Sequence, residues 1–231
     1  MHLVWIICLS LLALYILRVF IYMLGWRRVH GRIQDIPVEY PGISLVIPVR
    51  DEEENISLLL EDLAKQEYPA EAFEIIIVDD HSTDNTPEII HAFQEKLRSL
   101  KYQSLDALEK GKKAALQKGI KAATHPLILN CDGDCRASSG WVAAMTKTFS
   151  DPRVRMVIGT VILEPDRGFF RSMQSLEFFS LTAVTAGAAG RNNPILCSAA
   201  NLAYYKADYL EFIEQQPKVS ESGDDIFLML W

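Results

Sequence analysis

The chain is short of positive charge, of cysteine and of glycine-rich turns, and each shortage removes a class of protein. Its 231 residues carry 23 Lys and Arg against 30 Asp and Glu, a formal net charge of -7. A protein that grips nucleic acid by its phosphates needs a basic surface, so no nucleic-acid partner is expected. Spare carboxylates remain to hold a metal. Cys8, Cys131, Cys135 and Cys197 make no disulfide framework, and a reducing, cytosolic setting is expected. Cys131 and Cys135 bracket an Asp-Gly-Asp, but thiols without nearby histidines fall short of the full ligand set of zinc. No glycine-rich fingerprint follows the first strand, which sets aside dinucleotide dehydrogenases and P-loop enzymes. Neither a serine–histidine nor a cysteine–histidine constellation appears, so no enzyme nucleophile is expected. Internal repeats and low-complexity tracts are absent.

What is present in excess is apolar residue at the N-terminus. Leu3 to Leu24 is apolar apart from Ser10 and Arg18, a run of 22 residues, enough to cross a hydrocarbon core as a helix. Arg27, Arg28 and Arg32 follow the run instead of preceding it. That order opposes a cleaved signal peptide and places the remainder of the chain in the cytoplasm. Expected is a single-pass N-terminal anchor in the inner membrane over residues 1–26. A juxtamembrane linker with Pro37 and Pro41 follows over 27–42, and then one domain over 43–231.

The domain reads as alternating strands and helices. Ile43 to Pro48 and Phe73 to Val78 are short β-branched runs with the look of buried strands. Ile56, Leu59, Leu60 and Leu63 fall at helical spacing, with acids expected in that helix's first turn, and so do Ile89, Ile90, Phe93 and Leu97. Lys110-Gly111-Lys112-Lys113 opens a further helix, and Leu127 to Cys131 forms the central strand. Beyond it come a helix from Ser138 to Phe149, a strand within Val154 to Leu163, a helix from Phe169 to Ala186, and a strand from Ile195 to Tyr205. Gly187 to Gly190 is expected to be a flexible stretch where a substrate can approach the backbone. Phe178 and Phe179 are expected in the core or against the membrane. Such alternation predicts an α/β, Rossmann-like, mostly parallel sheet flanked by helices, with ligands at the carboxyl ends of the strands.

Three of those ends are polar: Arg50-Asp51-Glu52, Asp79-Asp80 and Asp132-Gly133-Asp134. Read alone, the last is equally a turn or a pair of ligands for Mg²⁺ or Mn²⁺, which take one or two carboxylates plus substrate phosphates. Near the end, Ser222 can cap a helix whose positive end suits Asp224 and Asp225. A carboxylate fixed there can also serve as a general base.

In order, Pro48-Val49-Arg50-Asp51-Glu52, Val78-Asp79-Asp80-His81-Ser82-Thr83-Asp84, Lys110-Gly111-Lys112, Asp132-Gly133-Asp134 and Gly223-Asp224-Asp225 resemble the motifs of family 2 inverting glycosyltransferases with the GT-A fold. The resemblance covers about Ile43 to Trp231. It implies a hexosyltransferase-type enzyme using a nucleotide-sugar donor, expected to be a UDP-sugar, with Mg²⁺ or Mn²⁺ as cofactor and a lipid or glycan acceptor at the cytoplasmic face of the membrane. Pro48, Arg50, Glu52, Asp80, Lys110, Lys112 and Asp132 would bind the donor, Asp132 and Asp134 the metal, and Asp225 would be the base. Asn201 and Asp224 would lie on the acceptor side. Two departures stand out: Asp51 where relatives often carry Asn, and a domain expected to be C-terminally incomplete. No downstream Gln-x-x-Arg-Trp follows the base. The competing expectation is a catalytically incomplete membrane scaffold or fragment.

Overall fold

The structure, a computed structural model, describes residues 2–34, 39–163, 168–215 and 224–230, and at residues 30–34 and 224 the backbone alone. Expectations about Pro37 and about Ser222 and Gly223 lie outside the described residues. The chain divides into two compact units, Met1–Asp35 with Thr160–Cys197, and Ile36–Gly159 with Ser198–Trp231.

In the first unit, α1 runs His2–Gln34 and packs on the twenty-one-residue helix described below as α6, Phe169–Ala189. The segment His2–Val29 is long and apolar enough to cross a membrane. The helix does not stop at residue 26: the first proline after the apolar run is Pro37, so nothing earlier forbids the i to i−4 ladder. The expected linker is therefore helical through Gln34. Gly187 to Gly190, expected as a flexible stretch, is instead the end of α6 pressed against α1. A Cβ on Gly25 would lie 1.9 Å from the Gly187 carbonyl oxygen, and one on Gly190 would lie 2.1 Å from that of Gly25. Small residues let helix backbones approach this closely, and that packing outweighs the helix cost of glycine.

The second unit holds a six-stranded sheet in the order β3-β2-β1-β4-β6-β5. Its strands are β1 Ile43–Val49, β2 Phe73–Asp79, β3 Leu100–Ser104, β4 Leu127–Cys131, β5 Met156–Ile158 and β6 Asn201–Tyr205. The first four pair in parallel, while β6 runs antiparallel to both β4 and β5. Every residue of β2 and β4 is buried, as expected of strands covered by helices on both faces. Those helices include α2 Ile56–Leu63, α3 Thr86–Gln94, α4 Lys112–Ala122 and α5 Trp141–Thr146, the last continued by a 3₁₀ turn, Lys147–Ser150. Ile56, Leu59, Leu60 and Leu63 turn into the core beneath β1 and β2. The chain closes with α7 Lys206–Gln215 and α8 Asp224–Leu230.

Glu74, on β2 at the amino end of the sheet, is buried and saturated. Its carboxylate accepts hydrogen bonds from Lys101, from the Ser44 hydroxyl and from both the backbone N–H and hydroxyl of Thr124. Burial pushes this carboxyl up, but the donors, Lys101 foremost, outweigh it and hold the pKa at about 2 against 4.5. A depressed carboxyl contributes stability above its unfolded pKa and loses it as pH falls through the folded one. Urea unfolding should therefore show a loss of up to about 3 kcal/mol between pH 4.5 and 2. Glu74→Gln should flatten the profile in that window. An unchanged slope in the variant would remove Glu74 as its source.

Candidate functional site

The parallel strands deliver their polar ends to one edge. β1 and β4 are neighbours across the sheet, with helices crossing in opposite directions from them, and such a switch point is where open α/β sheets bind ligands. Two loops, 50–55 after β1 and 80–85 after β2, are stitched together there. The Asp51 carboxylate accepts from the Thr83 N–H at 2.7 Å, while its own N–H donates to the Ser82 hydroxyl at 3.0 Å. Glu52 N–H donates to the Thr86 hydroxyl at 2.8 Å, and the Glu53 carboxylate accepts from the Asn85 amide at 2.7 Å. Asp79 accepts from both the hydroxyl and the N–H of Ser82. The acids expected in the first turn of α2 thus lie before it and serve this seam. Asp51 adopts φ 53°, a left-handed conformation that Asp and Asn adopt more readily than other side chains, so an acid at this position keeps the loop's shape.

Asp80 is different. It is 5% exposed; one oxygen accepts the Gly111 N–H at 2.9 Å and lies 3.8 Å from the Arg50 guanidinium. The other oxygen, Oδ1, is buried with no hydrogen-bond partner among the described residues. Gly111 reaches it with φ +91°, a conformation open to glycine. One residue on, the Lys112 ammonium sits 2.6 Å from Asp132 Oδ1. Arg50, Asp80, Lys112 and Asp132 are in this way brought together, with Glu52 against them through Gly133. A Cβ on Gly133 would lie 3.2 Å from Glu52 Cγ and 3.1 Å from Val49 Cγ1. Pro48 is half-buried in β1 opposite Val78, and Lys110 is exposed just before Gly111.

Asp132 is half-buried and Asp134 exposed. Among the described residues no three His, Cys, Asp or Glu side chains converge on a metal position; Asp132 and Asp134 are two hard oxygen ligands one residue apart. Asp132 already carries a cation, the Lys112 ammonium. That donor set fits Mg²⁺ or Mn²⁺, which complete their shells with water and phosphate oxygens. It does not fit zinc. The neighbouring thiols of Cys131 and Cys135 are free and hydrogen-bonded to each other; that contact, with burial and the nearby acids, pushes Cys131 up, whereas on Cys135 it outweighs burial and the acids and holds the thiol down.

The loop carrying Asp134 is clamped to α2. Arg136 forks onto Asp62 at 2.6 and 3.0 Å, and Ala137 N–H adds a third bond to the same carboxylate. Gln66 donates to the Ser138 carbonyl and accepts the Val142 N–H. The Arg136 guanidinium, working against burial, holds Asp62 below the usual carboxylate range.

Asp225 joins from the far end of the sequence. Its Oδ2 accepts the Ala199 N–H at 3.1 Å, and Ala199 precedes Asn201, which pairs with Cys131 at the carboxyl end of β4. The antiparallel run of β6 is what sets Asp225 at the edge that bears Asp132. Asn201 is buried and its side-chain oxygen accepts the Trp141 indole N–H at 3.1 Å. It props the Trp141 helix and the Gly159 corner. The Asp224 side chain lies outside the described residues. Three features escaped the sequence. The stitch between loops 50–55 and 80–85 and the Asp62–Arg136 clamp join residues far apart in the chain, and no local spacing signals either. β3 has a single fully buried residue, Leu100, and so carries no apolar run.

A mostly parallel sheet with an antiparallel excursion at β6, bearing carboxylates and cations at one edge, is the GT-A arrangement. It is shared with a mannosyltransferase, PcManGT from Pyrobaculum calidifontis, solved with GDP-Man and Mn²⁺; that likeness has a TM-score of 0.64 at 20% identity, over 91% of this chain and 58% of that one. Residues 44–213 match the family described as Glycosyl transferase family 2, and the chain belongs to that family. It is 29% identical to the glycosyltransferase AglE of Haloferax volcanii over 191 residues, 80% of this chain and 59% of AglE. Similarity to the poly-beta-1,6-N-acetyl-D-glucosamine synthase of Staphylococcus epidermidis is 30% over 141 residues, 61% of this chain and 33% of the synthase. The chain thus spans about three fifths of the first of these proteins and a third of the second.

Proposed function

We propose that this chain is the membrane-anchored glycosyltransferase domain of an inverting enzyme that moves a sugar from a UDP-sugar to a lipid or glycan acceptor at the cytoplasmic face. The observation that carries this reading is the bare, buried Oδ1 of Asp80 beside Arg50 and Lys112. An unsatisfied buried acceptor costs about 1–3 kcal/mol, and an N–H donor on the base of a nucleotide would satisfy it. Arg50 and Lys112 supply positive charge for a diphosphate beside it. Asp132 and Asp134 would hold Mg²⁺ or Mn²⁺, whose chemistry is to stabilise the negative charge of the departing diphosphate. Asp225 takes the acceptor hydroxyl's proton as that oxygen attacks the anomeric carbon from the face opposite the leaving group. One displacement inverts the centre, and the new glycosidic bond replaces the sugar–phosphate bond. The boundaries 1–26, 27–42 and 43–231 remain our division into anchor, connector and catalytic domain, the connector being helical in its first part.

Calorimetric titration of detergent-solubilised protein with UDP tests the pocket. Asp80→Asn, which exchanges a charged acceptor for a neutral amide, should weaken UDP binding roughly tenfold to a hundredfold. Equal affinity in the variant would remove Asp80 from the donor site, and failure of the parent chain to bind UDP at all would sink the donor assignment.

A further inference from the structure

Two consecutive residues after β2 hold the segment that leads into α4, and the chemistry above uses only the first. Asp80 accepts the Gly111 N–H at 2.9 Å, and His81 Nε2 lies 3.0 Å from the Glu109 carbonyl oxygen. A carbonyl oxygen can only accept, so that ring nitrogen carries a proton and donates it. Lys110 therefore stands on an arch whose two feet, Glu109 and Gly111, are pinned by neighbouring residues of one loop. Lys112 begins α4 immediately beyond it.

His81 makes that contact from an uncommon backbone conformation. Its φ is 58°, left-handed geometry that glycine adopts freely and side chains enter at a cost. Glycine would make the same turn without strain, so what the imidazole adds is the bond to Glu109. The rest of the segment is fixed independently. Leu105 N–H donates to the Asp79 carbonyl at 2.9 Å, Glu109 N–H closes a turn onto the Asp106 carbonyl at 2.9 Å, and the Lys118 ammonium lies 3.1 Å from the Asp106 carboxylate. These bonds shape the turn. His81 decides where that turn delivers Glu109, and with it the start of Lys110.

We propose that His81 is a positioning residue for the diphosphate end of the donor site: by tethering the Glu109 carbonyl it holds Lys110 and Lys112 in place before the donor arrives. A tether of this kind lowers the ordering cost of binding and takes no part in bond breaking, so its loss is felt in donor affinity. This inference rests on the UDP-sugar reading of the same pocket.

The test sets His81→Gly and His81→Gln beside the parent, each as the full chain in detergent. Glycine keeps the left-handed backbone but has no side-chain donor, whereas the glutamine amide can donate to the same carbonyl. Calorimetric titration with UDP in the presence of Mn²⁺ should show His81→Gly binding about threefold to tenfold more weakly, the worth of one hydrogen bond. His81→Gln should recover most of that loss. Hydrogen exchange without ligand should quicken at residues 109–111 in His81→Gly and leave the core strands β1 and β4 as slow as in the parent, which shows that the variant is folded. UDP affinity in His81→Gly equal to the parent's, or a loss that glutamine does not recover, overturns the positioning role. A parent chain that binds no UDP overturns the donor reading and this role with it; quickened exchange at 109–111 would then show the tether alone.

Discussion

Replacing Asp225 with Asn is expected to slow sugar transfer by about 10²–10⁴-fold while leaving UDP affinity unchanged, because on the proposed mechanism the change removes the general base and little else. The amide is the same size and its oxygen can still accept the Ala199 N–H that fixes the carboxylate at 3.1 Å. Position is kept and proton affinity is lost. Radiolabelled transfer from UDP-sugar donors, set beside the calorimetric UDP titration, separates the two quantities. Transfer at the parent rate would remove Asp225 as base. Loss of UDP binding along with transfer would make it a donor-site residue instead.

The joint replacement Asp132→Ala, Asp134→Ala should cost at least as much, through another route. A divalent ion stabilises the leaving diphosphate by several kcal/mol, on the order of a thousandfold or more in rate. With both carboxylates removed, metal-dependent UDP binding should vanish, and addition of chelator should no longer alter either binding or turnover. The parent chain should supply the contrast, with UDP affinity expected to rise with Mn²⁺ and fall with chelator. Lys112 sharpens the expectation. Its ammonium is 2.6 Å from Asp132, so without that partner it faces the diphosphate alone, and some metal-independent UDP affinity should persist in the variant. Full metal-dependent turnover in the double variant would place the ion elsewhere.

Much of this was legible in the sequence, and the reasons differ by element. Ile43 to Val49, Phe73 to Asp79 and Leu127 to Cys131 are buried on both faces, and full burial writes an unbroken apolar run that can be read directly. The polar residues that end those runs pointed to a ligand edge, and the GT-A class was implied by the resemblance of those motifs to family 2 glycosyltransferases. β3 was silent because an edge strand with one buried residue needs no such run. Strand Asn201–Tyr205 came out five residues long, where the apolar pattern suggested a start at Ile195. Pairing with Cys131 and the Gly159 corner set its limit, and both are tertiary facts. Gly187 to Gly190 misled for a related reason: small residues look like a loop until a second helix is placed against them. Within the site, residue identity singled out Asp80, Asp132 and Asp225 as candidates, but not that Asn201 would be buried against Trp141. Nor could spacing reveal which of many acids is left bare; that follows from counting the donors that reach each one.

The clamp between Asp62 and the Arg136 loop bears on how a donor binds. With Asp62 taking three hydrogen bonds from Arg136 and Ala137, and Gln66 two more to the same loop, the segment after Asp134 is anchored before any ligand arrives. Preorganisation of this kind removes ordering entropy from association. Donor capture should then resemble a key entering a finished lock: heat release with a small entropy penalty, and an association rate set by electrostatic steering and not by loop folding. Cutting the anchor should reverse that signature while leaving the proposed donor-site carboxylates in place.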